Sequence, residues 1–128
     1  MVAFSDTSFL TSLYLRESTT VAARAAIAAE GVSLPLTPLG GLELRNALNR
    51  AVHRQRATVP ERDAMWRDVE SDLAKGFLVR VSLDAAELHA KARELSDRYT
   101  PTTGARSLDL LHVAAALLLD AQIFFSFD

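Results

Sequence analysis

Four short apolar runs, at residues 2–5, 34–37, 77–81 and 122–127, are separated by long stretches whose apolar residues recur with helical spacing. A hairpin turn joins antiparallel strands with a few residues, whereas parallel neighbours need a crossover of a dozen or more, usually a helix. The alternation therefore predicts an α/β fold with a central parallel, twisted sheet. Helices cover both of its faces, giving a three-layer αβα sandwich.

The helical stretches carry their own start and stop signals. Asp6-Thr7-Ser8 precedes Phe9, Leu10, Leu13 and Tyr14, and an alanine-rich segment, 18–30, closes at Gly31. Thr37-Pro38 has the form of an N-cap followed by proline at the first helical position, although Gly40-Gly41 weakens that start; Leu44, Ala47, Leu48 and Ala51 then mark a helix over about 42–54. A further helix, 61–75, sets Met65, Trp66, Val69 and Leu73 on one face and ends at Gly76. Asp84 with Glu87 resembles a capping box for a helix bearing Leu88, Ala92, Leu95 and Tyr99, which Pro101 is expected to end. Ser107 is the expected N-cap of an apolar helix over 108–119. No repeat or linker divides the chain, so residues 1–128 read as a single domain. The chain stops at Asp128, directly after the last strand, where such a sheet usually continues. A final helix and strand are therefore expected as elements missing from it or without order.

Composition narrows the chemistry. With 128 residues and no cysteine, the chain is long enough for one core and has neither disulfides nor thiolate metal sites, so any metal must be held by oxygen or imidazole. A formal charge of −2 excludes a general polyanion binder, although a local basic patch remains compatible with it. Lys75 and Lys91 are the only lysines, which leaves arginine, a planar bidentate phosphate ligand, as the main cation. No signal peptide or membrane-spanning run is visible, and the chain reads as a soluble cytoplasmic protein with no membrane partner.

In an open parallel sheet, ligands bind outside the carboxyl ends of the strands. Asp6 follows the first run, Glu43 lies early in the helix after the second, Asp109 opens the last helix, and Asp128 follows the fourth run. Taken singly, each has a plainer explanation, because acids are favoured at helix N-termini. Together, four carboxylates at one edge repel one another unless protonated or bridged by a cation, and a hard oxygen-seeking ion, Mg²⁺ or Mn²⁺, suits them. Such an ion points to phosphodiester hydrolysis.

Asp6-Thr7-Ser8, Leu42-Glu43-Leu44, the stretch Ser107-Leu108-Asp109-Leu110-Leu111-His112-Val113-Ala114-Ala115-Ala116 and Phe125-Ser126-Phe127-Asp128 occur in the order found in PIN domains. Over its whole length the chain resembles this ribonuclease family, and most closely its VapC-type toxins. The resemblance implies a PIN-like αβα sandwich and a metal-dependent endoribonuclease with RNA as substrate. It also implies neutralisation by a cognate antitoxin protein, and Asp6, Glu43, Asp109 and Asp128 as the catalytic, metal-binding acids.

Thr7, Ser8 and Ser126 are candidates to orient those acids, or simply cap a helix and a strand end. Arg50, on a polar stripe with Glu43, Asn46 and Arg54, is a candidate RNA phosphate ligand, as is Arg106, which would equally pair with Asp109. His112, one turn beyond Asp109, reads as a partly buried histidine with a hydrogen-bond partner, and His53 and His89 as surface residues. The alanine-rich face near Phe9, Leu13 and Tyr14 suggests an antitoxin groove or a homodimer contact.

Three other readings compete with this one. A haloacid-dehalogenase-like phosphatase needs an Asp where Ser8 stands. A receiver module needs paired acids after the first strand and a late lysine. A non-catalytic PIN-like module binding RNA or protein would keep the acids as remnants.

Overall fold

The computed structural model describes residues 2–127. Its elements run β1 (Ala3–Ser5), α1 (Thr7–Tyr14), α2 (Thr20–Glu30), β2 (Leu34–Leu36), α3 (Pro38–His53), α4 (Val59–Lys75), β3 (Leu78–Arg80), α5 (Ala85–Thr103), α6 (Ser107–Leu118) and β4 (Ile123–Phe125). The alternation is the α/β pattern read from the sequence, and both strand pairings are parallel.

Alternate strand residues point to opposite faces, and the core divides accordingly. Ala3, Leu34, Leu36 and Leu78 join Phe9, Leu10 and Leu13 of α1, Leu44 of α3 and Val69 of α4 in the main cluster. Phe4, pointing the other way, packs on Ala115 and Ala116 of α6, while Ala114 meets Ala92 and Leu95 of α5. Helices α1–α4 thus cover one face and α5–α6 the other, giving the three layers.

The sheet is not continuous. β1 pairs with β4 and β2 with β3, and although β1 lies beside β2, no ladder joins them. Proline explains the break. The Leu34 amide donates to the Phe77 carbonyl and the Val81 amide to that of Leu36, so these positions of β2 turn their backbone groups toward β3. Pro35, between them, faces β1 without an N–H to offer.

Several helix ends differ from the sequence reading. Thr37 caps α3 by accepting the Gly40 amide, and the helix begins at Pro38, with both glycines inside its first turn. Gly40 sits there because a Cβ would stand 3.2 Å from the capping Thr37 Oγ1. Thr58 and Glu61 form a reciprocal capping box at α4, two residues before the expected start. Asp84 caps α5 through the Ala86 amide alone, without a returning bond from Glu87 among the described residues.

Pro101 does not end α5, which continues to Thr103 and stops at left-handed Gly104. The carbonyl that Pro101 leaves unpaired belongs to exposed Asp97, where water can satisfy it, so the proline is tolerated two residues from the helix end. Ser107 is the first residue of α6 and not its cap; extended Arg106 holds that position and supplies no side-chain bond. Tyr99 is 45% exposed and lies outside the core of α5. Helix α2 buries only Ala23 fully, leaving most of its alanine-rich surface open. Among the described residues no helix is long and apolar enough to cross a membrane.

Candidate active site

Asp6 stands at the carboxyl end of β1, where its amide donates to the Phe125 carbonyl and so extends the pairing with β4. Its side chain caps α1: Oδ1 accepts the Phe9 amide at 3.1 Å and the Ser8 hydroxyl at 2.6 Å. Oδ2 accepts the hydroxyl of Ser126, which follows β4. Ser8 Oγ also accepts the Phe127 amide at 3.1 Å. A helix start and a strand end, 120 residues apart, are therefore fastened to one carboxylate.

Glu43 lies in the second turn of α3, half-buried, and turns toward α1. Its Oε1 accepts the Thr7 hydroxyl at 2.8 Å and sits 2.5 Å from His112 Nε2, which is also 3.2 Å from Thr7 Oγ1. An acid oxygen served by both groups assigns the imidazole hydrogen to Nε2. His112 is 5% exposed and packs on Phe4, ring centroids 6.3 Å apart, so it is the buried, hydrogen-bonded histidine expected. The sequence reading did not foresee that its partner is Glu43. Neighbouring Asp6 and Thr7 thus tie α1 to Ser126 on one side and to Glu43 and His112 on the other.

Asp109 is exposed in the first turn of α6, three residues before His112, and makes no hydrogen bond or ion pair among the described residues. Arg106 does not pair with it. Arg50 occupies the last turn of α3, seven residues beyond Glu43 and so about 10 Å further along the axis, where it complements the helix dipole. His89 is exposed and bonds the Ala85 carbonyl, and His53 is exposed. Asp128 lies outside the described residues.

Asp6, Glu43 and Asp109 occupy the carboxyl edge as the strand order requires, but no group of three or more acid or histidine side chains among the described residues is gathered closely enough to hold a metal ion. Their donor chemistry is nonetheless all oxygen. Glu43 Oε2 and both Asp109 oxygens carry no described hydrogen bond, whereas both Asp6 oxygens are already engaged.

A parallel αβα domain with acids oriented by hydroxyls at its carboxyl edge defines a class of compact α/β proteins with one polar edge site. Within that class the chain belongs to the PIN domain family, whose model matches residues 3–128. Among solved structures it is similar to Mycobacterium tuberculosis VapC20, described as a sarcin-ricin loop cleaving toxin, with a TM-score of 0.71 and 19% identity over 98% of this chain and 89% of that one. A likeness at that identity establishes the shared fold. No curated protein matches the chain in sequence.

Proposed function

We propose that the chain is a metal-dependent endoribonuclease of the VapC type, the toxin of a toxin–antitoxin pair acting in the cytoplasm. The observation that carries this reading is the linked pair of acids: Asp6 and Glu43, from different elements, are each held by hydroxyls at the sheet edge where such folds bind ligands. PIN family membership and the likeness to a toxin described as cleaving the sarcin-ricin loop support it.

Asp6, Glu43, Asp109 and Asp128 are the residues that would hold Mg²⁺ or Mn²⁺, an oxygen-only set suited to a hard cation. The ion, when bound, supplies Lewis-acid polarisation of the phosphodiester and neutralises charge among the acids. The protein's part is orientation. Ser8 and Ser126 fix the Asp6 carboxylate, while Thr7 and His112 fix one oxygen of Glu43 and leave the other open. The exposed alanine-rich surface of α2 is the proposed contact for the antitoxin or for a second copy.

A non-catalytic PIN module is the second reading, and one observation favours it: the described acids are not assembled as a metal site. Calorimetric titration with Mn²⁺, beside RNA cleavage in Mn²⁺ and in EDTA, separates the two. The nuclease reading expects saturable binding and Mn²⁺-supported cleavage, both removed by Asp6→Asn, with cleavage also lost in Asp109→Asn. Intact protein that neither binds the ion nor cuts RNA leaves the non-catalytic module.

A further inference from the structure

An acidic edge on a chain of net charge −2 repels a polyanion, so the affinity for RNA must come from cations placed elsewhere on the same edge. A cavity of about 700 Å³ lies there, at the carboxyl ends of β2 and β3, beneath the start of α3. No acid lines it. Thr37 and Pro38 wall it on one side and also border the smaller apolar cavity that contains His112.

Two arginines face this space. The Arg45 guanidinium carbon lies 5.0 Å from the centre of the Trp66 ring, and Arg80 ends β3 nearby. Neither makes an ion pair among the described residues. Two residues after Glu43, Arg45 turns to a different side of α3 from that acid, toward α4. A guanidinium held over an indole face is restrained by that contact, and it offers a planar cation to a base as well as donors to a phosphate.

Resting on the reading of the chain as acting on RNA, we propose that this cavity is a subsite for a nucleotide flanking the scissile phosphate of single-stranded RNA. Arg45, seated on Trp66, stacks on the base, and Arg80 takes the phosphate. Two strand spacings, about 10 Å, separate the middle of the β2–β3 pair from that of the β1–β4 pair, a reach of one or two nucleotides along an extended strand. An RNA crossing the sheet edge then sets one phosphate at Asp6 and Glu43 and its neighbour over Arg45.

Trp66 is the only tryptophan in the chain, so its emission reports on this cavity alone. Protein in EDTA is titrated with a short oligouridylate carrying an end label, following both Trp66 fluorescence and label anisotropy. Binding accompanied by a saturable change in Trp66 emission is the expected result. Arg45→Gln and Arg80→Gln, checked for unchanged circular dichroism, each weaken it about tenfold. Arg80→Gln also lowers the slope of log K against log salt by about 0.7, one phosphate contact on a single strand. No binding, binding that leaves Trp66 silent, or binding indifferent to both substitutions overturns the subsite. The nuclease reading fails separately: a Trp66 response without Mn²⁺-supported cleavage keeps the cavity as a nucleotide-binding site and removes the nuclease. Cleavage that needs Asp6 but ignores Arg45 and Arg80 does the reverse.

Discussion

Thr7 is the hinge of the polar edge, because its single hydroxyl serves both Glu43 and His112. Thr7→Val keeps the shape and removes both contacts. The expected cost is about 1 kcal/mol in urea unfolding; on the proposed nuclease reading, RNA cleavage also drops about tenfold to a hundredfold, the usual penalty for losing a group that orients a metal ligand. Unchanged cleavage would show that Glu43 needs no such orientation. Part of this arrangement was legible in the sequence: Asp6-Thr7-Ser8 announces an N-cap, and its position after an apolar run places it at the sheet edge. The contact between Glu43 and His112 was not, because it spans 69 residues and leaves no local mark.

At the scale of the element, α3 is the instructive case. Its two adjacent glycines look like a defect in a helix start, yet they differ. A Cβ on Gly41 would meet only Leu36, at 4.0 Å, whereas one on Gly40 would press the Thr37 oxygen that holds the cap. Gly41→Ala is therefore expected to stabilise the protein by about 0.5–1 kcal/mol through the helix propensity it adds. Gly40→Ala should gain less or lose stability, and thermal unfolding of the two variants side by side checks the order. Propensity rules read these glycines alike because they see the backbone and not the neighbour. The same blindness misplaced the end of α5, where a proline is tolerated next to solvent, and the cap of α6, where serine beside extended Arg106 lies one residue inside the helix.

For the whole molecule, the sequence told the layers and the parallel sense of the strands, since both follow from the alternation of periods. It did not tell that the sheet divides at Pro35, which depends on the side toward which that residue turns its missing N–H. A long-range tie joins two helices within one layer. Tyr14 of α1, 2% exposed, donates to Asp72 Oδ2 of α4 at 2.6 Å. Burial first, and that bond second, push its ionisation far above the ordinary tyrosine range. The folded state keeps a proton that the unfolded chain releases near pH 10. The contribution of Tyr14 is thus complete below that pH and declines as the pH rises above it. Urea unfolding between pH 8 and about 11 should show this fall. Tyr14→Phe should lower stability at neutral pH by about 1–2 kcal/mol and flatten the alkaline decline.

The pairing of β1 with β4, and the bond from Ser126 to Asp6, have a consequence for synthesis. A ribosome emits Asp6 well before the strand that completes its surroundings, which emerges some 120 residues later. The contact between them closes a loop of some 120 residues, whose entropy it must offset, and it cannot form before β4 is available. A nascent chain whose β4 has not yet emerged therefore carries an unfinished edge. On the nuclease reading, the carboxylate of Asp6 is held on both oxygens only once Ser126 has reached it.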